Sequence, residues 1–227
     1  MQKNQQRVFA ITDIHGRNDL FRKALKYITL KKTDKLILLG DIIDRGEDSK
    51  GVLDTIFLLL DNGFDVTCLI GNHEKMLLDA LVNLDKFNLW MFNGGDKTLS
   101  SFLTSSIEKI PTKYIALIKS FKYYCTYRNY ILVHASLNMK IENPFSDVET
   151  IIWDRNPYEY MNKDWMENRI LIHGHNPISQ NEILDSIEMD TPIINIDNGV
   201  YIKKDGFGSM CVMELNQKKI TFIHENR

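Results

Sequence analysis

Cysteine and proline are both scarce in this 227-residue chain, with three of the first and five of the second. Cys68, Cys125 and Cys211 are odd in number, far apart and set among apolar residues. This excludes a disulfide scaffold and leaves three free, buried thiols suited to a reducing compartment. No linker, repeat or low-complexity tract interrupts the chain, so residues 1–227 read as one domain. An excess of charge of one sign is missing too: 28 Lys and Arg face 30 Asp and Glu, with no basic half and no acidic tail. Nucleic acid and a membrane surface are thereby excluded as main partners. The longest apolar run, residues 56–60, is five residues long, against about 18 for a bilayer span. The N-terminal "MQKNQQRVFAITD" lacks the apolar core and small-residue cleavage site of a secretory signal. The expectation is a cytoplasmic protein, a monomer or weak oligomer.

What is present is ordinary globular composition, 44% hydrophobic and 26% charged, patterned as alternating elements. "RVFAI" (7–11), "KLILL" (35–39) and "DVTCLI" (65–70) read as buried strands. Between them, 18–30 and 50–63 carry apolar residues at helical spacing, the second stopped by Gly63, and a third helix starts near Glu74. Strand–helix alternation with short loops predicts a parallel sheet. Residues 86–122 read as loops and short helices, followed by a hairpin of "YYCTY" and "YILVH" around "RN". Further strands are expected at 169–173, 192–197, 209–215 and 219–223. The architecture expected is α/β (α+β), two sheets packed face to face with helices outside.

Five of the six histidines sit at strand ends: His15, His73, His134, His173 and His175. His224 reads as an ordinary C-terminal residue. In "TDIHG", Asp13 and His15 are two apart, which on a strand puts both on one side. In "LLGDIIDRG", Gly40 turns the chain off its strand before Asp41, Asp44 and Arg45; in "CLIGNHE", Gly71 does the same before Asn72 and His73. Reactive groups of open α/β sheets gather beyond the carboxyl ends of the strands, where these motifs fall. An Asp/His/Asn set without thiolate suits Mn, Fe(II) or Zn. The residues suffice for two ions, Asp13 and His15 on the first, Asn72, His134 and His175 on the second, with Asp41 bridging. A neutral Asn72 leaves the net positive field that a phosphate dianion requires. His73 then points toward a leaving group, Asp44 pairs with it and favours imidazolium, and Arg45 meets phosphate oxygens.

"TDIHG", "GDIIDRG", "GNHE", "LVHA" and "HGHNP" stand in the same order as in the phosphoprotein phosphatase branch of the calcineurin-like metallophosphoesterases. The chain resembles in particular the small bacterial and phage (lambda-type) serine/threonine phosphatases and the symmetrical dinucleoside tetraphosphatases. The resemblance implies a four-layer metallophosphoesterase fold with a central β-sandwich of two mixed sheets. It implies metal ligands Asp13, His15, Asp41, Asn72, His134 and His175, with His73 and Asp44 as an acid dyad. Arg155 in "IIWDRNP" looks like the family's second phosphate-binding arginine, and Asn93 in "WMFNGGD" like a substrate contact. His175 rather than His173 matches the ligand. Two positions depart: Ile70 stands where many relatives carry Arg before "GNHE", and Thr12 where many have Gly or Ser.

The function expected is hydrolysis of phosphomonoesters, chiefly phosphoserine and phosphothreonine and also phosphotyrosine, by direct attack of a metal-bridging hydroxide. Two divalent ions are implied, Mn2+ first, with Fe/Zn and Ni accepting the same donors. One alternative is a symmetrical bis(5'-nucleosyl)-tetraphosphate hydrolase; a more remote one is a non-catalytic module that binds phospho-ligands.

Overall fold

The computed structural model describes residues 5–225; residues 1–4, part of the segment read above for a secretory signal, and 226–227 lie outside the described residues. The apolar runs form strands as expected: β1 (Val8–Ile11), β2 (Lys35–Leu38), β3 (Asp65–Cys68), β4 (Tyr124–Tyr127), β5 (Tyr130–Val133), β6 (Ile170–His173), β7 (Ile193–Asn195), β8 (Met210–Glu214) and β9 (Lys219–Ile223). One sheet has the order β3-β2-β1-β8-β9, the other β4-β5-β6-β7. Both are mixed: β1, β2 and β3 run parallel while β8 and β9 are antiparallel, and the β4–β5 hairpin adds an antiparallel edge to parallel β5, β6 and β7.

Side-chain alternation explains the layering. Val8 and Ala10, Ile37 and Leu39, Cys211 and Met213 form one buried cluster with Leu132, Ile172 and Ile194 of the facing sheet. Their neighbours Phe9, Ile11, Leu36 and Leu38 turn the other way and join a larger cluster with helix residues. Those helices include α1 (Asn18–Tyr27) and α2 (Ser49–Asp61), which supply Leu20, Phe21, Val52 and Ile56. Helix α3 (Asn72–Ala80) is followed by α4 (Leu84–Trp90), a π-helical turn at Met91–Gly95, α5 (Asp96–Ser101) and α6 (Thr112–Lys119). Helices α7 (Val148–Trp153) and α8 (Lys163–Met166) put Ile151, Ile152 and Met166 in the same cluster as Ile131, Val133 and Leu171 of the second sheet. Helix α9 (Gln180–Glu188) lies beside β7. The two-sheet sandwich flanked by helices is the architecture expected.

Local boundaries depart in instructive ways. Helix α1 ends at Tyr27 rather than residue 30, because Thr29 adopts a left-handed φ of 48°. Helix α3 begins at Asn72, not near Glu74, so Asn72 and His73 stand on a helical first turn behind Gly71. Helices α7, α8 and α9 have no counterpart in the sequence expectation, although α9 opens on a capping box in which Ser179 accepts from the Glu182 N–H. The thiols are free as expected, but Cys125 is only half-buried. Among the described residues no helix is long and apolar enough to cross a membrane.

Ile37 is fully buried between the sheets. Ile37→Ala is expected to cost about 2–5 kcal/mol of stability, measured by urea unfolding; a loss under about 1 kcal/mol would mean that the sheet interface is loosely packed.

Candidate metal centre

Asp13, His15, Asp41, Asn72, His73, His134 and His175 are all buried, and all follow or end strands of the two sheets. Among the described residues, twelve non-glycine residues have positive φ, and Asp13, His15, Asp41, Asp44, Arg45 and His175 are half of them, at 43° to 71°. Such a conformation is uncommon outside glycine and must be held by its surroundings. Asp13 and His15 therefore reach the site through left-handed turns just beyond β1, not by strand alternation. Their N–H groups donate to the carbonyls of Gly40 (3.2 Å) and Asp41 (2.8 Å), which ties the first motif to the second. Gly40 has a φ of +93°, the turn expected of it. Gly71 has an ordinary φ of −99°; glycine is needed there for space, since a Cβ would overlap the Asp41 carboxylate.

Glu74 organises the second motif. Its Oε2 accepts from the N–H groups of Asp41 and Gly71 (2.9 Å each), and its Oε1 from Ile42 (2.8 Å) and Ile43 (3.2 Å). Burial and the nearby Asp41 raise its pKa to about 7, and the N–H donors oppose the shift.

The Asp41 carboxylate faces two groups at once. His134 Nδ1 donates to the Leu39 carbonyl at 2.8 Å, so in the neutral ring Nε2 carries the lone pair. Around that lone pair lie Asn72 Oδ1 and His175 Nδ1, each at 3.1 Å, and Asp41 Oδ1 at 3.4 Å. On the other side, His15 Nδ1 is 3.1 Å from the Ile43 carbonyl, and its Nε2 is 3.5 Å from Asp41 Oδ2. Lone pairs of imidazole, amide and carboxylate oxygen facing one another repel unless a cation lies among them. The donor set thus fits divalent metal, and two groups of ligand-type atoms close enough to hold an ion are present: His15, Asp41 and His73, and Asp41, His134 and His175. Asp13 belongs to neither group; its carboxylate accepts from the His175 N–H (3.2 and 3.1 Å) and from Thr12 Oγ1. Burial lowers the pKa of His15 well below the usual range and that of His175 to about 2, while it raises Asp41 to about 6.

His73 Nδ1 lies 2.8 Å from Asp44 Oδ2, the pairing expected. Asp44 also accepts from Trp90 Nε1 (2.9 Å) and Thr98 Oγ1 (2.6 Å). His73 Nε2 is buried with no hydrogen-bond partner. The expected preference for imidazolium is reversed in the protein alone: burial lowers His73 to about 4, outweighing the attraction of Asp41. Burial likewise pushes Asp44 up to about 8 against the pull of Thr98 and Trp90.

Arg45 Nη1 donates to His15 Nε2 at 2.9 Å, and its guanidinium lies 4.5 Å from the Tyr201 ring centroid. Tyr201 also meets the His15 ring edge-on at 5.0 Å. Arg155 is exposed and donates from Nη1 to Asn176 Oδ1 (2.8 Å), next to His175. Asn93 Nδ2 donates to the Leu89 carbonyl (2.8 Å); the site is reached through its neighbour Gly94, whose carbonyl accepts from the Arg45 N–H. His173 stands apart, with Nδ1 on the Gly174 carbonyl at 3.0 Å. Ile70 is buried in the larger core cluster. Sequence reading missed Glu74, Tyr201, Trp90, Thr98 and the buried Asp197, whose carboxyl burial and Asp13 hold well above the usual range. "NIDNG" at the end of β7 was the available signal for Asp197.

A helix-flanked double sheet with an Asp/His/Asn cluster beyond its strand ends is a metallophosphoesterase arrangement. The sequence pattern of the calcineurin-like phosphoesterases matches residues 6–204, and the chain belongs to that family. It is 40% identical over 95 residues to serine/threonine-protein phosphatase 1 of Salmonella typhimurium, covering 41% of each chain. With serine/threonine-protein phosphatase 2 of the same organism it shares 30% over 158 residues, covering 65% of this chain and 67% of the relative. With the symmetrical bis(5'-nucleosyl)-tetraphosphatase of Nitrosomonas europaea it shares 33% over 150 residues, covering 63% and 52%. The chain therefore spans about two fifths of the first of these relatives. These are the kinds of relative that the motif order implied. A solved structure described as a candidate diadenosine tetraphosphatase superposes with a TM-score of 0.69 at 18% identity, covering 100% of this chain and 97% of that one, a likeness of fold.

A pH dependence follows for metal-stripped protein. Asp44 and Glu74 have folded pKa values raised to about 8 and about 7. A raised carboxyl pKa means that the folded state binds more protons than the unfolded one, so this stability is lost as pH rises through those values. The buried histidines have lowered values and oppose the trend only below about pH 6.5. Between about pH 6.5 and 8.5 the melting temperature in chelator should fall, and a divalent ion should restore more at the higher pH; a rising melting temperature in that window would contradict the burial argument.

Proposed function

We propose that the protein is a binuclear metal-dependent phosphatase acting on phosphomonoesters, chiefly phosphoserine and phosphothreonine and also phosphotyrosine. The observation that carries this reading is the Asp41 carboxylate, with one oxygen toward His134 and the other toward His15. Asp13, His15 and Asp41 would hold one ion, and Asp41, Asn72, His134 and His175 the other; Mn2+ suits these donors, as do Fe/Zn and Ni. Two such ions, when bound, supply Lewis acidity and a water of lowered pKa.

The remaining work falls to the chain. Arg45 and Arg155 bring two guanidiniums to the phosphate oxygens, a geometry that favours bidentate contact. The Tyr201 face steadies Arg45, and Asn93 contacts substrate from the π-helical turn. Asp44 holds the Nδ1 side of the His73 ring, so that the proton His73 delivers to the leaving oxygen is carried on Nε2. Water and ester then exchange one P–O bond for another, releasing alcohol and inorganic phosphate.

The Nitrosomonas relative supports a second reading, hydrolysis of a symmetrical dinucleoside tetraphosphate. Its leaving group is a nucleotide, which needs less protonation than an alkoxide.

Asp41→Asn should lower bound metal from about two ions per chain to one or none, measured by elemental analysis of purified protein, and abolish turnover; full metal content would remove Asp41 from the bridge. His73→Asn should keep its metal and lose about 10²–10⁴ in kcat on a phosphoserine peptide, with a smaller loss on a dinucleoside tetraphosphate if that is hydrolysed. An unchanged kcat on the peptide would end the acid role.

A further inference from the structure

Beside the metal-ligand cluster lies a cavity of about 510 Å³ between the segment after α7, the end of β6, β7 and α9. Arg155 lines it, and so does Asn176, the residue after His175. Because Arg155 is hydrogen-bonded to Asn176, the chain neighbour of His175, the Arg155 side of the cavity adjoins the candidate metal ligands. Pro157, the Tyr158 ring, Ile178 and Ile193 make the walls apolar.

The polar groups of the lining are mostly spent on one another. Arg155 donates to Asn176 Oδ1 and Asn176 Nδ2 returns a bond to the Arg155 carbonyl, each at 2.8 Å. Asn195 Nδ2 donates to the Asn176 carbonyl (2.7 Å), its Oδ1 accepts from the Asp197 N–H (2.8 Å), and Ser186 Oγ donates to the Ile183 carbonyl (2.7 Å). The Tyr158 hydroxyl donates to the Ile193 carbonyl (3.3 Å). Asn156, which donates to Glu159, and His173, whose Nδ1 lies on the Gly174 carbonyl, also line it, and Glu182 Oε2 accepts from the Ser179 N–H and Oγ. What is left is the Arg155 cation, the apolar wall and the Glu182 charge. Such a cavity is a poor host for the polar edges of a nucleobase, whose donors and acceptors would go unpaired. Its carboxylate also repels a polyphosphate chain.

We propose that this cavity receives the aromatic ring of an aryl phosphoester, with the phosphate at Arg155, phosphotyrosine being the protein-borne case. This rests on the phosphatase reading above and narrows its substrate class. Hydrolysis there breaks the aryl O–P bond and forms a new P–O bond from water. The proton goes to the phenoxide oxygen, so the products are a phenol and inorganic phosphate.

The test needs no turnover. Calorimetric binding of benzylphosphonate to the metal-loaded protein should be about tenfold tighter than that of propylphosphonate, the discrimination an apolar pocket supplies. Ser186→Trp, which fills the cavity from α9, should remove that preference and lower the ratio of kcat/KM on a phosphotyrosine peptide to that on a phosphoserine peptide about tenfold; Ser186→Ala should keep both. Equal affinity of the two phosphonates in wild-type protein overturns the proposal whether or not Ser186→Trp folds. A loss confined to dinucleoside tetraphosphate overturns it too, assigning the cavity to a base. Absence of turnover on every substrate, with the phosphonate preference intact, would instead defeat the phosphatase reading and leave the cavity assigned.

Discussion

The site depends on one buried carboxylate that touches no substrate in any reading. Glu74 sits on the first turn of α3 and accepts four backbone N–H groups, one from Gly71 and three from the Asp41–Ile43 turn. The chain has just left β2 at Asp41–Ile43 and β3 at Gly71, so no strand partner takes up these N–H groups. Without an acceptor they would be buried donors, each costing about 1–3 kcal/mol. Supplied with one, the turn can hold the left-handed conformations of Asp41 and Asp44. Because Asp41 and Ile42 in turn accept from His15 and Gly16, the same clasp sets the position of the first motif.

The electrostatics follow from what this packing buries. Asp41, Asp44, Glu74 and Asp197 are carboxyls at no more than 2% exposure, and burial raises the pKa of each. The buried imidazoles His15, His73 and His175 are shifted the opposite way by the same cause. Both shifts disfavour charge on the protein side, which is the condition a cation relieves. The neutral amide of Asn72 belongs to this balance: it offers a lone pair without adding another buried anion.

Family membership gives the class of chemistry, and packing brings the candidate groups together. The Asp, His and Asn residues of the motifs gather just beyond β1, β2, β5 and β6 and on the first turn of α3. The elements around that cluster, the α4–α5 segment and the wall formed by α7 to α9, are where Trp90, Thr98 and the Arg155 cavity come from. Trp90 and Thr98 donate to Asp44, and Asn176, the residue after His175, lines the cavity.

Local pattern was enough for much of the fold. Continuous apolar runs placed β1, β2 and β3, and the hairpin turn at Arg128 and Asn129 was readable from "YRNY". Short helices such as α8 were not, because four residues carry too little periodicity to separate from a loop. The capping box of α9 is legible in "SQNE".

By itself the sequence determined which chemistry was available: the order and type of Asp, His and Asn at strand ends, and the absence of thiolate pairs or a basic face. Only the tertiary structure decided how those groups meet. Asp13 and His15 reach the site by left-handed turns, Gly71 is required for room and not for its φ, and Glu74 finds three of its four partners some thirty residues upstream. The reason is physical: spacing along a chain sets local periodicity, whereas a buried polar group takes whichever partner the packing of distant elements brings within hydrogen-bond reach.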